Sequence, residues 1–417
     1  MDVNVAIKDF LSALPTEIDS LYVALSGGLD SCVLLDALRV AMPNAPFYAL
    51  HVHHGLSPFA DDWVNHCEQL AQSLSVPLQV LRVNAKPAPG ESPEAAARHA
   101  RYEAFRMALP ANSVLITAHH ANDQAETLLL QLLRGAGVRG LSAMPVLAQF
   151  QNGWLARPFL SISRLQLEEY AELYQLSWIN DESNLDSEID RNYLRHQIVP
   201  LLTERWKGTV ACLSRTANHC AEAEMLLSEL AELDLSQVQS DSVAMNVLKL
   251  TQLSLPRIKN VLRYWIHRHG FLPPSTIKLQ TIIDTVIYAA HDKKPCVTWE
   301  GAELRRFRDN LYVMKPLPPL DPNWSCDWDL KADLLLPASL GLLRVADYRD
   351  IANGQSLTVR FRRGGEVLYL GAERGHHTLK KLFQEWNIPP WLRSRTPLIF
   401  RGGELLRVVS YLSHPLA

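Results

Sequence analysis

Leu21-Tyr22-Val23-Ala24-Leu25-Ser26-Gly27-Gly28-Leu29-Asp30-Ser31-Cys32-Val33-Leu34-Leu35-Asp36-Ala37-Leu38 reads as a buried strand, a tight turn and a helix. Two glycines at the junction let the backbone turn sharply and come close to a ligand. The helix start offers unpaired N–H groups and a partial positive charge, which suits phosphate. The loop lacks the Gly-Lys-Ser/Thr ending of a Walker A motif, so no lysine reaches the β- and γ-phosphates. Backbone, hydroxyls and a metal-capable carboxylate, Asp30, are left to hold a pyrophosphate. The plainer reading is a glycine turn in which Asp30 or Ser31 caps the helix.

The segments around this loop alternate. Strand candidates are 21–25, 47–52, 78–83 and 114–118; helical patterns cover 61–74, 94–108 and 123–133. This alternation predicts an α/β fold with a doubly wound parallel sheet. Ligands of such sheets sit beyond the carboxyl ends of the strands. A chain of 417 residues calls for more than one core. We expect a catalytic domain over 1–215, a mostly helical domain over 216–315 and a small basic α+β domain over 330–417. Pro316 to Pro322 is read as a stiff linker.

Composition narrows the chemistry. The formal net charge is −3, so any nucleic-acid binding rests on local patches. Six cysteines contain no C-x-x-C pair, which argues against a zinc ribbon, a cysteine-held cluster or a disulfide framework. No stretch has the length of a membrane span and the first ten residues are no signal peptide, so the expected setting is a reducing cytoplasm without membrane partners.

Several constellations carry candidate chemistry. His51, His53 and His54 are close together, but strand alternation divides them between two faces. They are expected to line a nucleotide pocket rather than hold zinc. Asp123 and Glu126 lie three apart after a strand. They suit a capping pair, with Asp123 at the N-cap and Glu126 at N3, and equally a pair of carboxylates holding an ammonium group or magnesium. Arg98 and Arg101 share one helix face, either solvated or stabilising a transferring phosphate. Arg191, Arg195 and Arg205 recur in a stretch containing Tyr193 and Trp206, as suits RNA. Residues 360–401 carry nine basic side chains, Lys380, Lys381 and Arg393 among them, against three glutamates. Phe383, Trp386 and Trp391 are either stacking platforms or core.

The loop Ser26–Ser31 resembles that of the N-type ATP pyrophosphatases. The ordered set is more specific: residues 51–57, Ala97-Arg98 with Arg101-Tyr102, Asn122 to Thr127, Arg134-Gly135 with Gly137 and Gly140, and Asp181, Asn184, Asp186, Arg191 and Asn192. With Leu379-Lys380-Lys381-Leu382-Phe383 and Pro389-Pro390-Trp391-Leu392-Arg393, it resembles the tRNA(Ile)-lysidine synthase family in its long bacterial form. Arg374-Gly375-His376-His377-Thr378 departs from the glycine- and lysine-rich pattern expected there.

The resemblance implies that ATP and Mg2+ adenylate C2 of the wobble cytidine, position 34, of tRNA(Ile) with a CAU anticodon, and that free L-lysine then displaces AMP. It implies Ser26, Gly27, Gly28, Leu29, Asp30 and Ser31 for ATP and Asp30 for magnesium. Arg98 or Arg101 would serve the α-phosphate, and Asp123 and Glu126 the lysine. Arg191, Arg195, Arg205, Lys380, Lys381 and Arg393 would contact tRNA. A homodimer is one expectation that the sequence leaves open. The competing readings are a tRNA thiolase, a small-molecule amidating enzyme, and a non-catalytic nucleotide-responsive RNA-binding protein.

Overall fold

The strand candidates of the first half form one sheet. In a computed structural model that describes residues 2–55, 57–90, 92–180, 186, 188–241, 243–290 and 295–409, the order is β3-β2-β1-β4-β6-β5. The strands are β1 (Ser20–Ala24), β2 (Tyr48–His53), β3 (Leu78–Arg82), β4 (Ser113–Ile116), β5 (Leu147–Phe150) and β6 (Gly153–Ala156). All neighbours pair in parallel except β5 with β6. The chain winds outward from β1 through β2 to β3, then returns to lay β4 on the other side of β1. The loops after β1 and β4 therefore flank the point where strand order reverses, where doubly wound sheets bind ligands.

The helices are α1 (Val3–Ser12), α2 (Leu29–Ala41), α3 (Ala60–Ser73), α4 (Pro93–Ala108), α5 (Ala121–Leu133), α6 (Val138–Leu141), α7 (Arg164–Leu173) and α8 (Asp190–Tyr193). The central helix α2 buries Leu29 and every residue from Ser31 to Leu38. It packs in a core shared by Val23, Leu25, Val114 and Leu167. Its polar Asp36 accepts from the Tyr170 hydroxyl of α7 at 2.8 Å, so the buried carboxylate is not orphaned. A one-turn π-helix, Leu194–Ile198, follows α8 and leads into the helix Val199–Arg205.

The chain divides into two compact units, residues 1–226 and 227–417. In the second, the region read as mostly helical also carries a four-stranded antiparallel sheet of Ala244–Asn246, Asn310–Met314, Ala302–Phe307 and Cys296–Trp299. Its helices Leu255–Arg268 and Thr276–Ile282 close one hydrophobic cluster with that sheet, Trp265 being fully buried. Arg306, also buried, donates to the carbonyls of Ile287 at 2.6 Å and Ala289 at 3.1 Å, satisfying the end of a helical segment. A second antiparallel sheet, Ser325–Trp328, Leu357–Arg360, Leu398–Arg401 and Glu404–Val408, organises the small strand-rich C-terminal part. The proline-rich 316–322 lies within the second unit and is tied by Arg395, which donates to Pro318 O at 2.7 Å. Among the described residues no helix is long and apolar enough to cross a membrane.

Candidate active site

The glycine loop is built around the Ser31 hydroxyl. It accepts from the backbone N–H of Ser26 and of Gly27, both at 3.2 Å, and donates to Gly28 O at 2.9 Å. Gly27 has φ +87°, and a Cβ there would meet Cys67 Sγ at 3.1 Å, so this position demands glycine. Gly28 is the N-cap of α2 and has no side-chain cap. Neither Asp30 nor Ser31 is the cap: Ser31 braces the loop, and Asp30 stands in the first turn. The Asp30 carboxylate is partly exposed. Arg164 Nη1 lies 3.1 Å from both of its oxygens, and His120 Nε2 is 3.7 Å from Oδ2. Burial raises the Asp30 pKa, against the lowering charges of His120 and Arg164.

Across the switch point, α5 begins two residues earlier than the sequence spacing suggests. The N-cap is His120, not Asp123. His120 Nδ1 accepts from Asp123 N at 3.4 Å, and Asp123 Oδ2 accepts from His120 N at 3.0 Å. Asp123 is thus at N3 of the capping box, and Glu126 takes no part in it. Glu126 is instead fully buried. It accepts from Arg191 Nε at 2.8 Å, Arg195 Nε at 2.7 Å and Arg195 Nη2 at 2.9 Å. Asp123 accepts from Arg191 Nη2 at 3.1 Å and Arg195 Nη2 at 2.9 Å. Two carboxylates and two guanidiniums form a closed, charge-balanced cluster. Burial works to raise the Asp123 pKa, yet His120, Arg191 and His119 outweigh it and hold it at about 2. Asp123 is therefore ionised at any physiological pH.

Arg191 and Arg195, expected on an RNA-facing surface, are turned inward onto these carboxylates. The π-turn contains Arg195, and such turns often mark functional positions. His119 lies beside the cluster, its Nδ1 2.9 Å from Thr117 Oγ1. Burial, with the charges of Arg157, Arg191 and Arg98, pushes it down to about 3, against Asp123. The ring is neutral near pH 7. Arg98 is exposed, with its guanidinium 5.1 Å from the centre of the Tyr102 ring, and its charge also bears on Arg157. The charge of Arg101 bears on His51. His51 is buried, with Nδ1 2.9 Å from Leu25 O, and His53 pairs with Asp61 at 3.2 Å. No group of histidine, cysteine and carboxylate able to hold a metal occurs among the described residues.

Arg205 is exposed, next to a largely exposed Trp206. In the second unit Lys380 and Lys381 are exposed on the helix Leu379–Glu385. Arg393 is half-buried, donating to Ile388 O at 2.7 Å. Phe383 is core and Trp386 is part-exposed; Trp391 is packed edge-on against Phe307 and Tyr312. Leu56, Asp181, Asn184 and the side chain of Glu94 lie outside the described residues. Sequence reasoning missed Arg164 as a partner of Asp30. The two are 134 residues apart, and only the capping box Ser163–Gln166 announces that a helix starts there.

Three family models match: a PP-loop domain over residues 2–202, a TilS substrate binding domain over 246–312 and a TilS substrate C-terminal domain over 357–414. A protein of Coxiella burnetii named tRNA(Ile)-lysidine synthase is 46% identical over 93% of this chain and 88% of its own length. Proteins of the same name from Methylococcus capsulatus and Legionella pneumophila are 42% and 40% identical, covering 93% and 94% of this chain and 90% and 91% of theirs.

Proposed function

The chain belongs to the tRNA(Ile)-lysidine synthases, and from that premise we propose that it ligates free L-lysine to C2 of the wobble cytidine of tRNA(Ile) bearing a CAU anticodon, using ATP. In the first step the C2 oxygen attacks the α-phosphorus, the bond to the bridging oxygen breaks, and diphosphate leaves. In the second the ε-nitrogen of lysine bonds to C2 and gives up a proton to solvent, the C2–O bond breaks, and AMP leaves carrying that oxygen. The observation that carries this reading is the adjacency of two sites at one strand reversal. One is a glycine loop with a helix N-terminus that suits diphosphate; the other is a buried carboxylate pair that suits a cationic amine.

Ser26, Gly27, Gly28, Leu29 and Ser31 would cradle the diphosphate, with Arg98 or Arg101 countering charge at the α-phosphorus. Asp30 would hold Mg2+, which supplies charge neutralisation on the phosphates when bound. A carboxylate that already seats a guanidinium on both oxygens fits a cation. Asp123 and Glu126 would receive lysine. Arg191 and Arg195 already neutralise them, so an incoming ammonium has to displace a guanidinium. Asp123, held at about 2, is far too weak a base to deprotonate an amine whose ordinary pKa is about 10.4. Its task is orientation.

The regions 216–315 and 330–417 would grip the tRNA, with Lys380 and Lys381 on its phosphates, and the exposed Arg205 of the first unit would add a further phosphate contact. Reaching the base is cheap, because it lies in a single-stranded loop. The deciding experiment is incubation with ATP, Mg2+, radiolabelled lysine and tRNA(Ile)-CAU. Label in the tRNA with one AMP per lysine is expected, and its absence with folded protein refutes the reading. A tRNA thiolase would transfer no lysine.

A further inference from the structure

Helices α2 and α7 are joined by two polar rungs: Arg164 to Asp30, and Tyr170 to Asp36 six residues further along each helix. The equal offset makes the helices parallel, so both N-termini flank the Asp30 carboxylate. The Arg164 backbone is fixed, its N–H donating to Asn122 Oδ1 at 3.0 Å beside Asp123. Its Nε is held by Glu168 Oε1 at 2.9 Å. Only Nη1 touches Asp30, and it touches both oxygens. The guanidinium is thus tethered at one end by its own helix and engages the loop at the other. Both partners of the Asp30 ion pair are partly exposed, with 38% and 29% of their side chains accessible, so the pair can exchange.

We propose that Arg164 is a positioning residue for the glycine loop: an internal cation that holds Asp30 in place and is exchanged for the divalent cation when ATP is bound. The inference rests on Asp30 being the cation ligand of the proposed reaction. One carboxylate cannot keep both partners at full strength, because the guanidinium on both oxygens repels a second cation at the same place. After exchange, Glu168 keeps the guanidinium near the loop, where its charge serves phosphate.

The test uses the full chain and Mn2+ as the probe, with free ion read by electron paramagnetic resonance and no nucleotide present. Arg164→Met keeps much of the apolar stem and removes the charge. The expected result is a Mn2+ half-saturation lowered about thirtyfold, the effect of deleting one unit charge about 4 Å from a divalent ion in water, together with a raised KM for ATP. Arg164→Lys restores wild-type Mn2+ binding. A merely structural arginine would weaken both ligands when removed, so Mn2+ binding that is unchanged or weaker in Arg164→Met overturns the proposal. Asp30→Asn separates the two readings. Loss of Mn2+ binding there keeps Asp30 as the ligand whatever Arg164 does, and retained binding removes Asp30 from that role.

Discussion

Glu126 illustrates how one buried charge constrains both stability and chemistry. Glu126→Gln leaves Arg191 and Arg195 with one carboxylate between them. Breaking a buried ion-pair cluster from one side costs about 3 kcal/mol, and a lower urea midpoint checks it. The same variant is expected to release diphosphate with ATP and tRNA yet to form lysidine at least about 10²-fold more slowly. Equal losses in both steps would place Glu126 outside lysine binding. Asp123 sets a pH dependence. Its folded pKa of about 2 lies below the ordinary 3.8, so its stabilisation is complete above about pH 4 and is lost as pH falls towards 2. Asp30 is shifted the other way by burial, so acid relieves rather than adds to its cost. Asp123→Asn is therefore expected to flatten the acid limb of an unfolding-midpoint profile. The spacing of Asp123 and Glu126 was readable from sequence. Their partners were not, because Arg191 and Arg195 lie 65 to 72 residues on and reach them only through the fold.

At the scale of elements, local signals did well wherever the physics is local. The four strands and three helices given bounds in the first half fall within two residues of that reading, because apolar runs alternate with amphipathic ones, whereas β5, β6, α1, α6 and α7 went unread. What was misread is the cap of α5. A histidine ring nitrogen served as N-cap acceptor, which cap preferences for Ser, Thr, Asp and Asn do not anticipate. The π-turn Leu194–Ile198 also has no sequence signature. Deleting one of its residues, Gln197, would restore α-helical winding and turn the preceding residues by about 100° relative to those that follow. We expect that deletion to swing the arginines out of register with the carboxylates. Adenylation should persist and lysine transfer should fail, as separate assays of diphosphate and labelled tRNA would report. The strands Cys296–Trp299 and Ala302–Phe307 went unread because they are short and are stabilised by pairing with each other and, for Ala302–Phe307, with Asn310–Met314.

For the molecule as a whole, net charge −3 conceals strongly cationic ground. Lys380→Ala with Lys381→Ala is expected to weaken tRNA binding and to reduce the slope of log affinity against log salt by about 0.7 to 0.9 for each phosphate no longer neutralised; an unchanged slope in filter binding would make the pair a solvated face. Several other cations of residues 360–401 are already committed inside the fold: Arg360 bonds Glu366 at 3.0 Å, Arg395 bonds Pro318 O, and Arg393 bonds Ile388 O. Counting basic residues therefore overstates the surface offered to RNA. The sequence by itself determined the doubly wound sheet and the glycine loop between β1 and α2, since hydrophobic period and glycine placement act over a few residues. It also marked the carboxylates by their position after a strand. Only the tertiary structure decided which charges meet: Arg164 on Asp30, and Arg191 and Arg195 on Asp123 and Glu126. Electrostatic pairing depends on distance in space, and residues far apart in the chain become neighbours only when the core closes.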